Sequence, residues 1–379
     1  MSNVNFKLKV EKNYWNKRKK YLNNERNSIG IVTSKSCTKF IKGLNYRWLI
    51  EVDGEPNFEK INRYFGSLIK KNNPHKPNND LYIVAIGGGS VIDTAKIINV
   101  MLSNNISDSR KLISPPTSLV ENLKLICIPS TAGTGAEITP FSTLWDPNNG
   151  VKFSVEAESV AKREIILDAH ISKDLPLKNT VSSGIDSLCQ NIESSWSLKS
   201  TSESVEYSRR GFSRLEIYFN NLVSDLKNLE YREQMLLASY NSGLAISIAN
   251  TTLCHSISYP ITALLGVPHG LACGLTLMEV IIHNSSTNNS FIDKTLQVTN
   301  SASTKELLSK IEGILQASKF YKIINPYVKE ISSNLDRIIP LTLQNSRSIN
   351  NPVKTNLRDI ENIVTKSLKT ALNGSNGRI

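Results

Sequence analysis

Leu81 to Lys96 reads LYIVAIGGGSVIDTAK, and no other stretch restricts the possible folds so strongly. Five apolar or aromatic residues, Tyr82 to Ile86, run straight into Gly87, Gly88 and Gly89. After Ser90 a helical spacing opens with Val91, Ile92, Ala95 and Ile97. A short apolar run bounded by glycine reads as a strand buried on both faces. Glycine allows a tight turn and a close backbone approach to a ligand. The helix behind it aims free N–H groups and a partial positive charge at the same gap. Strand, Gly-Gly-Gly-Ser and helix thus form a phosphate cradle; a tight βα turn with no ligand would use the same residues.

The pattern recurs along the first half. Ser28–Thr33, Arg47–Val52, Leu123–Pro129 and Glu164–Asp168 read as further strands, and Phe58–Lys71 has helical spacing. Leu123–Pro129 enters a second Gly/Thr-rich loop, Ser130 to Glu137. Alternation of strand and helix predicts a parallel sheet with helices on both faces. Ligands of such sheets sit beyond the carboxyl ends of the strands, so both loops can face one ligand. Beyond about Ile171 short strands disappear, and Asn179–Ser197, Ser202–Phe219, Tyr231–Ala249, Thr252–Leu265, Gly270–Ile282 and Leu357–Leu372 suit helices. The expected architecture is an α/β Rossmann-like nucleotide-binding domain, residues 1–173, followed by an all-α domain, residues 174–379. Thr299–Lys305, Gln344–Lys354 and the tail from Asn373 read as connections or ends.

Composition removes several alternatives. Lys and Arg number 45 against 33 Asp and Glu, a net charge of +12 that favours anionic ligands. The lysines are scattered through Asn/Ser-rich sequence without interleaved aromatics on a helix, which argues against a nucleic-acid face. The basic segment Lys12–Leu22 reads as an exposed leader. Five cysteines without a CxxC argue against a disulfide framework or zinc ribbon and for a reducing compartment. No apolar run approaches membrane-spanning length, so a cytoplasmic protein is expected.

The helical half holds metal-ligand chemistry. Asp186 and Gln190 are four residues apart, which puts both on one helix face. His255 and His269 follow, with Pro260 and the Val267–Gly270 stretch expected to interrupt any single helix between them. One carboxylate, one amide oxygen and two imidazoles would make a shell for a divalent cation. Two hydrogen-bonded core histidines and a capping Asp fit the same residues. His75, His170 and His283 read as structural.

Taken in order, Gly87–Ser90 with Asp93 and Lys96, Pro129 to Glu137, Leu167-Asp168, Gly184-Ile185-Asp186 and Pro268-His269-Gly270 resemble the iron-containing (group III) alcohol dehydrogenases over residues 28 to 370. The resemblance implies a dehydroquinate-synthase-like fold and NAD(P)-linked interconversion of aldehyde and alcohol with Fe²⁺ or Zn²⁺. It implies that Gly87, Gly88, Gly89 and Ser90 hold the cofactor pyrophosphate, that Ser130, Thr131 and Thr134 line the nucleotide, and that Lys152 reaches it. Asp186, His255 and His269 match metal ligands, whereas Gln190 and Tyr259 stand where the family usually has histidine. An amide oxygen in place of an imidazole is a harder, weaker donor. Tyr259 could give a proton to the product alkoxide. Ser34-Lys35 after the first strand lacks a carboxylate to repel a ribose 2′-phosphate, which favours NADPH over NADH.

Pro140–Asp146, Glu193–Ser197, Ser200–Ser204 and His255–Pro260 resemble the phosphonoacetaldehyde reductase branch of that family. The branch implies reduction of a small anionic aldehyde, phosphonoacetaldehyde, to 2-hydroxyethylphosphonate. A general short-chain alcohol dehydrogenase, a sugar-phosphate lyase and a non-catalytic nucleotide-binding subunit remain alternatives on the same fold, and a homodimer is compatible with all four.

Overall fold

In the computed structural model, residues 6–24, 28–72, 81–115, 117–159, 163–286, 290–344 and 347–375 are described; His75 lies outside them. The chain divides into two compact units. Met1–Thr131, Ala136–Asp146 and Lys152–Leu175 make the first, and Ala132–Gly135, Pro147–Val151 and Pro176–Ile379 the second.

The strands of the first unit are β1 (Phe6–Val10), β2 (Ser28–Ser34), β3 (Trp48–Val52), β4 (Leu81–Gly87), β5 (Val120–Glu121), β6 (Lys124–Pro129), β7 (Phe141–Asp146), β8 (Val151–Glu156), β9 (Glu158–Ser159) and β10 (Arg163–Leu167). Its helices are α1 (Tyr14–Asn24), α2 (Phe58–Asn72), α3 (Gly89–Ser103) and the short α4 (Ala169–Ser172). Six strands form one sheet in the order β1-β10-β6-β4-β2-β3, with every pairing parallel. Strand β4 lies in its middle. Its alternate residues serve opposite cores: Ile83 and Ala85 face one, Val84 and Ile86 the other. This two-sided burial is what the unbroken apolar run of β4 predicted. Each of the isoleucine and valine side chains stabilises the fold by roughly 1.5–3 kcal/mol.

Two features depart from the sequence reading. FKLKV is an additional strand, β1, at the sheet edge, where charged residues are tolerated and blunt unwanted pairing. The basic segment expected to be an exposed leader is the packed helix α1. Trp15 and Leu22, seven residues apart and hence on one face, are both 1% exposed. Asp168 fixes the start of this helix by accepting from the main-chain N–H of Asn13 at 2.8 Å and of Trp15 at 3.1 Å. The lysines of α1 occupy its outer face while the indole and leucine enter the core.

Beneath α3 the first unit buries a network of charges. Lys96, wholly buried, donates to Ala136 O at 3.1 Å, to Thr139 Oγ1 at 3.2 Å and to Phe141 O, with Asp93 Oδ1 3.5 Å away. Arg163 donates to Glu137 O and Thr139 O at 3.0 Å and pairs with Glu121 Oε2 at 3.0 Å. Motif residues Asp93 and Lys96 thus pin the segment after β6 onto the sheet.

The second unit is helical: α5 (Leu177–Trp196), α6 (Ser202–Ser224), α7 (Leu229–Ala249), α8 (Leu253–Leu265), α9 (His269–Ser285), α10 (Ser290–Thr299), α11 (Thr304–Ala317), α12 (Phe320–Ser332), α13 (Leu335–Leu343) and α14 (Leu357–Ser375). Pro260 lies inside α8, which matches the helical reading of Thr252–Leu265, so it is not itself an interruption between His255 and His269. The break falls at Gly266, whose φ of +66° ends the helix in the left-handed conformation. Pro268 then precedes α9 and starts it at His269. Helix α5 runs through the core: Ile185, Leu188, Ile192 and Trp196 are wholly buried. Among the described residues no helix is long and apolar enough to cross a membrane.

Candidate functional site

In the first unit the carboxyl ends of three neighbouring strands meet at one edge. Register sets Thr33 beside Ile86 and Gly87 beside Pro129, so Ser34, the glycine turn and Ser130 follow side by side. Ser130 N donates to Gly87 O at 2.8 Å. A Cβ at Gly88 would stand 3.3 Å from Thr131 Cγ2, and one at Gly87 only 2.5 Å from Val91 Cγ2. The turn is therefore as tight as its glycines require. Gly88 is the N-cap of α3 and offers no side chain to its first N–H groups, the arrangement that an anion-binding turn requires. The Ser90 hydroxyl donates to Glu55 Oε2 at 2.8 Å. Lys152 sits on β8, outside the six-stranded sheet. Thr134 belongs to the second unit, whose segment 132–135 packs Gly133 on Ser183 and Gly135 on Gly243. The structure thus groups Ser34, Gly87, Gly88, Gly89, Ser90, Ser130 and Thr131, and places Lys152 and Thr134 on other elements.

In the second unit three helices each bring a pair of side chains four residues apart. Helix α5 carries Asp186 and Gln190, α8 carries His255 and Tyr259, and α9 carries His269 and Cys273. Spacing of i and i+4 sets each pair on one face. Close packing of α9 on α5 depends on two glycines: a Cβ at Gly270 would lie 1.8 Å from Ser182 O, and one at Gly274 would lie 2.3 Å from Ile185 Cγ2. Ligand atoms of Asp186, His255, His269 and Cys273 all fall within 4.8 Å of one another. Asp186 Oδ1 is 3.3 Å from His255 Nε2 and 4.0 Å from His269 Nε2.

Hydrogen bonds settle which ring nitrogen faces the centre. His255 Nδ1 meets Glu193 Oε2, and a carboxylate there accepts the Nδ1 proton. Glu193 is wholly buried and its other oxygen accepts from Thr252 N at 3.0 Å, Thr252 Oγ1 at 2.9 Å and Cys254 N at 2.9 Å. Ser258 Oγ donates to His255 O at 2.7 Å, so its lone pair receives Nδ1–H of His269 at 3.3 Å. With Nδ1 of each ring so engaged, it is Nε2 of both imidazoles that faces Asp186. Burial alone would lower the His255 pKa, but Cys273, Glu193 and Asp186 outweigh it and hold the pKa well above the usual histidine value. A cation entering this group displaces a proton, so its uptake weakens as pH falls.

One carboxylate, two oriented imidazoles and a thiol suit a borderline divalent ion such as Zn²⁺ or Fe²⁺. Gln190 is buried one turn beyond Asp186, and its Oε1 accepts from Ser242 Oγ at 2.8 Å. Tyr259, 4% exposed, stacks on His269 with ring centroids 5.8 Å apart and lies edge-on to His255 at 6.4 Å. Sequence reasoning missed Glu193 and Cys273. Their spacing, Glu193 seven residues after Asp186 and Cys273 four after His269, sets each on the same helix face as a named candidate but does not by itself single them out. His283 meets Thr355 Oγ1 at 3.3 Å and His170 meets Asp168 Oδ1 at 3.4 Å, away from the group.

Comparison with known proteins follows the division of the chain. The model of the iron-containing alcohol dehydrogenases matches residues 7–169, and that of the Fe-containing alcohol dehydrogenase family C-terminal domain matches residues 180–368. Phosphonoacetaldehyde reductase of Streptomyces viridochromogenes is 34% identical over 212 residues, 53% of this chain and 52% of that one. The probable alcohol dehydrogenase EutG of Escherichia coli K12 is 34% identical over 202 residues, 53% of this chain and 51% of its own length. These matches span about half the length of either relative. Sulfoacetaldehyde reductase from Bifidobacterium kashiwanohense, solved with NAD+, shares the fold with a TM-score of 0.83 at 21% identity over 98% of both chains. The chain belongs to the iron-containing alcohol dehydrogenase family.

Proposed function

We propose that this member of the iron-containing alcohol dehydrogenase family is a metal-assisted, NADPH-dependent reductase of a small anionic aldehyde, phosphonoacetaldehyde, giving 2-hydroxyethylphosphonate. The observation that carries the reading is the convergence of Asp186, His255 and His269, with Nε2 of both rings turned to one carboxylate oxygen. Support for the substrate comes from the 34% identity to a phosphonoacetaldehyde reductase and from the net charge of +12.

When bound, the reduced nicotinamide supplies the hydride and the divalent cation draws electron density from the aldehyde oxygen. Gly87 to Ser90 and the first N–H groups of α3 would hold the cofactor's pyrophosphate, with Ser34, Ser130 and Thr131 beside them and Lys152 and Thr134 as further candidate contacts. Lys35, following Ser34, sets a cation rather than a carboxylate beyond β2, which favours a 2′-phosphate and hence NADPH. Asp186, His255 and His269 would hold the cation, with Gln190 one candidate for a fourth donor. Glu193 keeps the His255 proton on Nδ1. Tyr259 gives its hydroxyl proton to the oxygen of the forming alcohol and regains one from solvent.

The test is NADPH consumption with phosphonoacetaldehyde against acetaldehyde and propanal. A kcat/KM at least tenfold higher for the phosphonate supports the substrate. Equal or higher values for the uncharged aldehydes favour a general alcohol dehydrogenase, a reading to which the EutG likeness also points. Absence of turnover with every aldehyde after addition of Fe²⁺, Zn²⁺ or Mn²⁺ rejects the reductase. Gln190→His, assayed alongside for metal content, is expected to tighten binding; unchanged content removes Gln190 from the ligands.

A further inference from the structure

Of the side chains that gather around Asp186, only Cys273 brings a soft donor. Its Sγ lies 3.8 Å from His269 Nε2 and 3.9 Å from Nδ1, and it shares the 4.8 Å group with Asp186 and His255. The two other cysteines of the helical core, Cys189 and Cys254, are equally buried yet belong to no such group among the described residues. Burial is therefore not what sets Cys273 apart; direction is. The residue stands one helical turn after His269, on a helix whose Gly270 and Gly274 allow it to press against α5.

Four donors around one ion at about 2.0–2.3 Å lie about 3.3–3.8 Å from each other in a tetrahedron. The separations found are 3.3 Å between Asp186 Oδ1 and His255 Nε2, 3.8 Å between Cys273 Sγ and His269 Nε2, and 4.0 Å between Asp186 Oδ1 and His269 Nε2. These three lie near that range, and with the whole group inside 4.8 Å, closing on an ion takes side-chain shifts of at most about an ångström. Gln190, the other candidate for a fourth donor, already engages Ser242 through its amide oxygen.

We propose that Cys273 is a thiolate ligand of this metal site, which makes the donor set one carboxylate, two imidazoles and one sulfur and selects Zn²⁺ over Fe²⁺. The inference deepens the metal-assisted reading above and rests on it. On binding, the Sγ–H bond breaks, an Sγ–metal bond forms and the proton leaves to solvent; no electron changes hands. A soft thiolate prefers the later, softer ion, whereas an amide oxygen in the same position would favour the harder one. Thiolate and carboxylate together also neutralise the dication, so the ion is held more tightly.

The test uses the full chain, stripped with a chelator and loaded with Co²⁺ or Zn²⁺. Thiolate bound to Co²⁺ gives an intense near-ultraviolet charge-transfer band, and sulfur bound to Zn²⁺ gives X-ray absorption scattering at about 2.3 Å. Both signatures are expected in the wild-type protein. The band is expected to vanish in Cys273→Ser and to persist in Cys37→Ser, and the ratio of Zn²⁺ to Fe²⁺ affinity is expected to fall at least tenfold in Cys273→Ser. Should Cys273→Ser fail to fold, the sulfur scattering of the wild-type protein still decides. Stoichiometric metal with nitrogen and oxygen scattering alone overturns Cys273 as a ligand and leaves the reductase reading intact. Failure to bind either metal overturns both.

Discussion

Each unit of this protein buries a cluster of charged side chains, and the two clusters are built on opposite plans. In the first, Lys96 and Arg163 direct their donors at main-chain carbonyls and at Asp93 and Glu121. Each cation there is met by acceptors of the protein itself, so the network holds a loop in place. In the second, Asp186, His255 and His269 turn ligand atoms toward a common point, and the other ring nitrogens are tied back to Glu193 and Ser258. Burial of charge therefore does not by itself mark a site. What separates the two is the direction of the ligand atoms.

Substitutions can break that contrast. The largest effect is expected at His255→Ala, which removes an Nε2 donor. Metal content should fall to near zero and kcat/KM by about 10³-fold or more, read by elemental analysis and NADPH consumption. Arg163→Met leaves Glu121 buried without its cation and should cost about 3–5 kcal/mol in urea unfolding. The folded fraction should keep its full metal content; loss of metal there would merge the two clusters into one functional unit.

Glu137, beside the first cluster, gives a pH signature. Burial pushes its carboxyl from 4.5 up to about 7, against the pull of its own main-chain N–H, Lys96 and Arg163. Between those values the folded chain binds this proton more tightly than the unfolded chain. Stability should consequently decline as pH rises through about 4.5 to 7 and level off above, a change on the order of 3 kcal/mol. Glu137→Gln should flatten that slope in denaturant titrations at stepped pH. The smallest effect is expected at Glu193→Gln, which keeps the shape but weakens the hold on the His255 proton. Metal affinity should drop about 10–100-fold in chelator competition, with helix content retained.

The two clusters also differ in how much of them the sequence discloses. The cradle of the first unit is contiguous: β4, Gly87–Gly89 and α3 stand in one string, and the turn conformation follows from residue type. Its Lys96 network was not legible, because main-chain carbonyls of residues 136 to 141 carry no signature of their own. In the second unit Asp186 and Gln190 follow from helical spacing, whereas Glu193 and Cys273 gain meaning only once α5, α8 and α9 are packed. Cys273 in particular reads as an ordinary core thiol until His269 is known to point the same way. Trp15 and Leu22 were obscured by six Lys or Arg residues between positions 9 and 20, since the outer face of an amphipathic helix dominates its composition. Pro260 could be read both ways, within the helical run Thr252–Leu265 or as a break before His269, because a proline tolerated within a packed helix looks the same in sequence as one that ends it.

The glycines of α9 carry one more consequence. By letting α9 press against α5 they bring donor atoms of α5, α8 and α9 close enough for a single ion, which would staple together segments that begin at Leu177, Leu253 and His269. Bound metal would then act as a reversible cross-link whose stabilisation grows with the logarithm of free metal concentration. The main-chain amides of these three helices should gain hydrogen-exchange protection together on metal loading, while those of the six-stranded sheet keep their rates.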